Sequence, residues 1–276
     1  MEHALHAEGR AVLFADCDDA PETEAARITA LLERQVDALL VVPVDETHSR
    51  EAVAMAAARV PLVLLDRGCG PGVADSVATD NTAGMALVLD HLAATGRRRP
   101  CFVGAAGTAS AAAERLAAYK AGAGALDAEA PGRVELGDFS LEWGRAAVDR
   151  ILPSRPDAIV CANDLIAVGA LQRLRQLGVD APGEIAVTGF DDIPVADLAE
   201  PSLTTVRQPV RALAAEAAYL LGHRLAGQRN GQQNEQQDGP RRSVRLALEL
   251  VVRASSAPRA TSAQNTGSTR TTEEDQ

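Results

Sequence analysis

Short apolar runs alternate with helical segments along most of the chain, and residues 156–194 show this pattern most clearly. Residues 158–162 are apolar at consecutive positions, which is typical of a parallel strand covered on both faces. Apolar side chains then recur at three-residue spacing, at Leu165, Val168, Leu171, Leu174 and Leu177. Gly178 favours a helix end at that point, and a second apolar run follows at 185–188. The segment is therefore predicted to form a β-α-β unit.

The same alternation predicts an α/β protein with parallel sheets. Strands are predicted at 11–15, 38–42, 62–65, 101–103, 134–136, 158–162, 185–188, 203–206 and 246–252. Helices are predicted at about 21–34, 47–59, 82–95, 111–125, 141–152 and 210–225. These strands are many for one simple open sheet, and the turn-rich residues 96–100 offer a break. We therefore expect two Rossmann-like lobes.

Polar residues stand directly after the two strands of the β-α-β unit. Asn163 and Asp164 follow the first strand, and Asp191 and Asp192 follow the second. A right-handed crossover brings both polar tips to the carboxyl edge of one sheet, where open α/β sheets bind ligands. The pattern thus predicts a small-molecule site at this edge.

Further residues of suitable chemistry follow other predicted strands. Carboxylates, amides and guanidinium groups hold polyhydroxyl ligands by paired hydrogen bonds, and an aromatic face packs against their C–H patches. The candidate ligand contacts are Asp80, with its neighbour Asn81, Arg115, Phe139, Asn163 and Asp191. Simpler interpretations stay open: Asp80 as a helix cap, Arg115 as a surface residue, and Phe139 and Trp143 as core residues. Asp164 and Asp192 are expected to cap or support rather than to contact a ligand.

The charge, the cysteines and the apolar runs of the sequence limit which partners and which cellular location we expect. With 38 acidic and 27 basic residues the net charge is -11, which disfavours direct contact with duplex DNA. Arg97–Arg99, the densest basic run, is interpreted as a solvated turn. The four cysteines lack CxxC spacing and are expected to be reduced. The first residues contain no signal-peptide core and no apolar run is long enough to span a membrane, so we expect a cytoplasmic chain.

Enzyme motifs are missing from the sequence. There is no GxSxG, HExxH or phosphate-binding GxxxxGK[ST] loop, and the histidines do not follow predicted strands. His3 and His6 are one helical turn apart without a third ligand nearby, so we predict neither a metal nor a cofactor. The adjacent Asp191 and Asp192 leave acid–base catalysis as a rival, which turnover lost on changing Asp191 or Asp164 would support.

Seven motifs together resemble the effector-binding core of lactose/galactose-repressor (LacI/GalR) type transcription regulators. In chain order they are VATDNTAG (77–84), AAERLAAYKAG (112–122), GDFSLEWG (137–144), AIVCANDLIAVGAL (158–171), IAVTGFDDIP (185–194), PSLTTVRQP (201–209) and ELVVRASS (249–256). The resemblance implies a periplasmic-binding-protein-like type I fold, in which two lobes close on a sugar or nucleoside effector, and it implies a homodimer. Carried over to this sequence, it implies ligand contacts from Asp80, Arg115, Phe139, Asn163, Asp191 and Gln208. Three further residues are expected to support these ligand contacts without touching the ligand: Trp143, Asp164 and Asp192.

The resemblance also implies a division of the chain. We expect an N-terminal lobe of residues 1–96 and 208–228 and a C-terminal lobe of residues 97–207 and 243–254. A flexible loop is expected at 229–242 and a disordered tail at 255–276, because both segments are polar and poor in apolar residues.

Regulators of this type ordinarily begin with a helix-turn-helix headpiece, and we expect this chain to lack both the headpiece and the first strand of the core. In the sheet, that strand would lie between the predicted strands at 11–15 and 38–42. Operator DNA would be bound only through the headpiece. A sugar-binding protein of an ABC importer is the alternative with the same fold. The absence of a signal peptide and the motifs GFDDIP and LTTVRQP favour the regulator.

Overall fold

Two parallel sheets form the framework of the computed structural model, which describes residues 11–106, 109–126, 133–229 and 240–257. The first sheet has the order β1-β2-β3-β9 and the second the order β5-β4-β6-β7. The strands are β1 Leu39–Val41, β2 Leu62–Leu65, β3 Asp75–Thr79, β4 Pro100–Ala105, β5 Arg133–Gly137, β6 Ala158–Cys161, β7 Ala186–Thr188, β8 Thr205–Arg207, β9 Ser243–Leu246 and β10 Glu249–Val251. The helices are α1 Pro21–Glu33, α2 Ser49–Ala57, α3 Asn81–Ala94, α4 Ser110–Ala123, α5 Leu141–Ile151, α6 Asp164–Gln176, α7 Val195–Leu198 and α8 Val210–Arg229. The predicted α/β architecture with parallel sheets is confirmed.

The β-α-β unit has the predicted form. β6 is buried at each position and pairs in parallel with β4 on one side and β7 on the other. The intervening α6 packs closely against α5, because Gly144 and Gly169 bring the two helix backbones together: a Cβ on either glycine would lie 2.2 Å from a carbonyl oxygen of the other helix. Because β4, β5, β6 and β7 are all parallel, their carboxyl ends lie at one edge of the sheet.

The first crossing between the lobes comes earlier than predicted. Met85, Val88, Leu89 and Leu92 of α3 are buried in the same apolar core as β4 and β6. The expected N-terminal lobe of residues 1–96 is therefore wrong at its end, since α3 belongs to the C-terminal lobe and the chain crosses near Asp80. The turn-rich residues 96–100 connect two elements of one lobe instead.

The predicted strand at 246–252 is also divided differently. β9 pairs in parallel with β3 in the first sheet, whereas β10 pairs antiparallel with β8 in a separate two-stranded ladder. Residues 243–246 thus lie in the N-terminal lobe rather than the C-terminal one, beside α8, whose apolar face covers β2 and β3. The chain crosses for the last time between β9 and β10.

Ser255 and Ser256 are ordered parts of the C-terminal lobe, although a disordered tail was expected from residue 255. The Ser255 hydroxyl donates to the Val187 carbonyl at 2.6 Å, and the Ser256 hydroxyl lies 2.7 Å from His91 Nε2. Small buried hydroxyls at the end of a polar run give no periodic signal in the sequence. The remainder of the expected tail, residues 258–276, and residues 230–239 of the expected loop lie outside the described residues.

Residues 11–15 do not form the predicted strand. A groove of about 750 Å³ lies between this segment and the outer edge of β1, with Leu13, Ile28 and Leu40 among its apolar lining. A strand needs a neighbour about 4.8 Å away to make its ladder hydrogen bonds. Because the groove separates residues 11–15 from β1, they have no neighbouring strand among the described residues, and Phe14 is left 83% exposed.

Within the described residues, no helix combines the length and the apolar character needed to cross a membrane.

Candidate ligand-binding site

Polar residues follow the carboxyl ends of strands in both sheets. Asp66 and Asp80 follow β2 and β3 of the N-terminal lobe, and Asn163 and Asp191 follow β6 and β7 of the C-terminal lobe. Two crossings, near Asp80 and along β8, join the sheets at these same ends. Parallel sheets hold ligands at their carboxyl edges, so this arrangement makes the space between the lobes the candidate site.

Arg115 connects several residues of the candidate site. It is only 4% exposed, and its guanidinium group stacks 3.7 Å from the centre of the Phe190 ring. Its Nε donates to Asn81 Oδ1 at 2.9 Å, its Nη1 donates to the Ala162 carbonyl at 2.7 Å, and its Nη2 lies 3.1 Å from Asp191 Oδ1. Because a buried arginine needs compensating acceptors, these contacts fix the plane of the guanidinium group.

Asp191 joins Arg115 to the second crossing. Its Oδ1 also accepts a 2.7 Å hydrogen bond from Gln208 Nε2, just after β8. Burial raises the pKa of Asp191, although Arg115 and Gln208 act to lower it. The residue has a φ of 106°, a costly backbone conformation for a side chain other than glycine, and its N–H is held by the Val206 carbonyl at 2.8 Å. Asp191 therefore contacts both Arg115 and Gln208 directly.

Asp66 is a candidate site residue that sequence reasoning missed. Its Oδ1 is buried and has no hydrogen-bond partner among the described residues. The charge of Asp66 contributes to raising the pKa of Asp191, so the two carboxyl groups of different lobes interact electrostatically. The available signal was its position directly after the apolar run at 62–65, the same pattern that marked Asn163 and Asp191.

Asp80 and Asn163 both cap helices. Asp80 Oδ1 accepts from the Ala83 N–H at 2.9 Å, and Asn163 Oδ1 accepts from the Ile166 N–H at 2.9 Å. Each cap uses one side-chain oxygen, so the helix-cap interpretation of Asp80 holds without excluding a ligand contact. Within the described residues, neither side chain hydrogen-bonds to Arg115, Asp191 or Gln208.

The two predicted aromatic residues have different surroundings. Phe139, after β5, is partly buried against the C-terminal core. Trp143 is 8% exposed, its Nε1 donates to the Gly104 carbonyl at 2.9 Å, and its ring fills the space over Gly137. Trp143 is thus fixed between the ends of β4 and β5, next to the start of the loop that carries Phe139.

Asp164 and Asp192 hold the crossings to the C-terminal lobe. Asp164 accepts from Thr205 Oγ1 at 2.5 Å and from the Ile193 N–H at 2.8 Å, and burial raises its pKa to about 7. Asp192 accepts from Arg207 Nε at 2.6 Å and pairs with Arg253 Nη2 at 2.8 Å. Burial opposes ionisation of Asp192, but these two arginines lower its pKa overall. Both carboxyl groups therefore hold β8 in place, and Asp192 also holds the segment after β10.

The part of the chain that the structure describes contains no cluster of three His, Cys, Asp or Glu side chains suited to a metal ion.

Comparison with known proteins places these features in a family. Residues 89–256 match the periplasmic binding protein-like domain. The HTH-type transcriptional repressor PurR of Vibrio atlanticus is 28% identical over 228 residues, covering 82% of this chain and 68% of the relative. The ribose operon repressor of Escherichia coli is 30% identical over 230 residues, covering 82% of this chain and 69% of the relative.

A solved structure agrees with the sequence relatives. The complex of the transcriptional regulator CelR with cellobiose superimposes with a TM-score of 0.80 at 28% identity, covering 92% of this chain and 76% of that protein. The two sheets, the crossings between them and the sequence relatives lead to one assignment. The chain belongs to the periplasmic binding protein-like domain family and forms the effector-binding core of a LacI-type transcription regulator.

Proposed function

We propose that the chain senses a sugar or a related small polar metabolite bound between its two lobes. The proposed contacts are Asp80, Arg115, Phe139, Asn163, Asp191 and Gln208, together with Asp66. The observation that carries the proposal is the fixed group of Arg115, Asp191 and Gln208, together with the Oδ1 of Asp66 in the other lobe, which is buried without a hydrogen-bond partner among the described residues.

The chemistry of this group suits a neutral ligand with several hydroxyls. A hydroxyl both donates and accepts, so it can give its proton to Asp66 or Asp191 and accept from Arg115 or Gln208. The unsatisfied Oδ1 of Asp66 is costly to leave buried, and a ligand hydroxyl would supply the missing donor. An anionic ligand would instead be repelled by the carboxylates of both lobes.

The relatives support the same class of ligand. CelR is named in complex with cellobiose, and the Escherichia coli relative is named for the ribose operon. Both names are those of transcription regulators, so we propose that effector binding here is read out as a change in transcription. A ligand that contacts both lobes favours one lobe arrangement only by its difference in affinity for the two arrangements.

A thermal-shift panel of pentoses, hexoses, disaccharides and nucleosides tests the proposal. A true effector at a hundred times its dissociation constant should stabilise the chain by about 2.7 kcal/mol. Asp191→Asn should abolish the shift, because it removes the charge that holds Arg115 and an acceptor for ligand hydroxyls.

Arg173→Met is the matched control, because it breaks an arginine–carboxylate pair with Asp149 on the outer faces of α5 and α6. This variant should retain the full ligand-induced shift. The proposal fails if no compound stabilises the chain, or if Asp191→Asn responds as the unchanged protein does.

A further inference from the structure

Arg115 is held on its third side by a buried amide. Asn81, at the start of α3, is 0% exposed, and its Oδ1 accepts from Arg115 Nε at 2.9 Å. A carboxamide presents a carbonyl oxygen on one side and an NH₂ donor on the other. If the Asn81 amide turned over, its NH₂ group would face the donors of the guanidinium group. The orientation of Arg115 therefore depends on what holds the other end of this amide.

Glu114 holds that other end. Asn81 Nδ2 donates to Glu114 Oε2 at 2.8 Å, and a carboxylate accepts from the NH₂ group but repels the carbonyl oxygen. Burial would raise the pKa of Glu114, but hydrogen bonds from Arg245 and Asn81 lower it overall, so the residue stays an acceptor. The contacts Glu114–Asn81–Arg115 thus allow a single amide orientation.

The carboxylate of Glu114 is in turn held by the other lobe. Arg245, on β9 of the N-terminal sheet, donates from Nη1 to Oε2 at 2.8 Å and from Nη2 to Oε1 at 2.6 Å. Its Nη1 also donates to the Thr79 carbonyl at 3.1 Å, beside the first crossing. A forked pair with two parallel hydrogen bonds fixes direction as well as distance. Rotation of one lobe relative to the other would separate Arg245 from Glu114.

We infer that Arg245, Glu114 and Asn81 are positioning residues, which couple the relative placement of the two lobes to the orientation of Arg115 in the effector site. With the lobes together, Arg245 fixes Glu114, Glu114 fixes the Asn81 amide, and Asn81 aims the guanidinium group. Because coupling is reciprocal, an effector that binds the aimed Arg115 also favours the lobe arrangement in which Arg245 reaches Glu114. The effector part of this inference rests on the proposed function, whereas the positioning part does not.

The NMR signal of the Arg115 Nε–H group, assigned by its loss in Arg115→Lys, tests the relay without any ligand. Hydrogen exchange at this group should be slow in the unchanged chain, because the N–H is buried and bonded to Asn81. Arg245→Met, at a side chain that is 49% exposed, should fold and should accelerate this exchange about tenfold, the effect of losing one hydrogen bond. Arg173→Met, which breaks the outer pair with Asp149, should leave the exchange unchanged.

A charge reversal separates positioning from simple stabilisation. The double variant Glu114→Arg with Arg245→Glu restores an ion pair between the lobes, but an arginine at position 114 cannot accept from Asn81 Nδ2. The unfolding temperature should therefore recover relative to Glu114→Arg alone, while exchange at Arg115 stays fast. Slow exchange in the double variant, unchanged exchange in Arg245→Met, or fast exchange in the unchanged chain would each overturn the inference.

Affinity supplies an independent second measurement. For any sugar that the thermal-shift panel identifies, Arg245→Met should raise the dissociation constant about tenfold, within the usual range of coupling between sites. An unchanged dissociation constant would refute the coupling to effector binding. If the panel identifies no ligand, the proposed function fails, while the exchange measurement still decides whether the relay exists.

Discussion

Site residues could be predicted from the sequence where they directly follow a strand. The contacts that surround them in the folded chain could not. Asn163 and Asp191 stand out because a consecutive apolar run precedes each of them, and Arg115 lies in a helix after a predicted strand. Gln208 came only from the resemblance, since a glutamine after a short strand carries no signal of its own. The three-acceptor environment of Arg115 depends on Asn81, Ala162 and Asp191, which no local pattern joins.

The buried carboxyl group of Asp164 is expected to make stability depend on pH. Burial raises its pKa from the ordinary value of 3.8 to about 7 in the folded chain. Below about pH 4 both folded and unfolded chains carry the proton; between about pH 4 and pH 7 only the folded chain keeps it. The stabilisation is therefore complete at low pH and is lost as pH rises, by about 4 kcal/mol in total.

Asp164→Asn isolates this dependence, because asparagine is close in shape and does not titrate. Urea unfolding at about pH 5 and about pH 8 should show the unfolding free energy of the unchanged chain falling, relative to Asp164→Asn, as pH rises. A constant difference between the two proteins at both pH values would show that burial does not raise the pKa of Asp164.

At the scale of elements, the helices and the strands of the C-terminal lobe follow their apolar patterns closely. The predictions at 158–162 and 141–152 correspond to β6 Ala158–Cys161 and α5 Leu141–Ile151. The failures occur where partners decide the structure. Residues 11–15 have strand composition but no neighbouring strand, and the apolar run at 246–252 is divided because β3 pairs with its start and β8 with its end. A local sequence pattern cannot predict which strands pair when they are far apart in the chain.

The contact between α5 and α6 gives a prediction for a single glycine. In Gly144→Ala the new Cβ would lie 2.2 Å from the Ile166 carbonyl oxygen, so the two helices must separate. Chemical denaturation should show a loss of about 1–3 kcal/mol, the usual cost of overpacking.

Gly222→Ala is the matched control in α8, because a Cβ there meets nothing within 4 Å. This variant should not lower the unfolding free energy, since alanine favours a helix more than glycine does. Equal effects of the two substitutions would show that helix propensity, rather than close packing, decides the outcome at Gly144.

At the scale of the whole molecule, the two lobes differ in how well their sheets are enclosed. In the C-terminal lobe β6 is buried at each position between two strands, whereas β1 of the N-terminal lobe borders the groove of about 750 Å³. The boundary between the lobes could not be predicted from the sequence, because the assignment of α3 depends on which sheet its apolar face covers. The crossings near Asp80, along β8 and before β10 lie together, so the lobes share one hinge region.

Unequal enclosure predicts unequal local stability. Backbone amides of β1 and α1 should exchange with solvent faster than those of β6 and α6, because opening the groove side exposes less buried surface. Hydrogen exchange followed by mass spectrometry resolves peptides from these four elements. Equal protection in both lobes would mean that the groove does not weaken the N-terminal sheet.

A crystal structure of the chain with a sugar identified by the thermal-shift panel would show where the effector binds. We predict that the sugar lies between the lobes, with hydroxyls within hydrogen-bond distance of Arg115, Asp191 and Asp66, and that the Arg245–Glu114 pair is formed. A sugar bound elsewhere, such as in the groove beside β1, and making no contact with Arg115 or Asp191, would contradict this prediction.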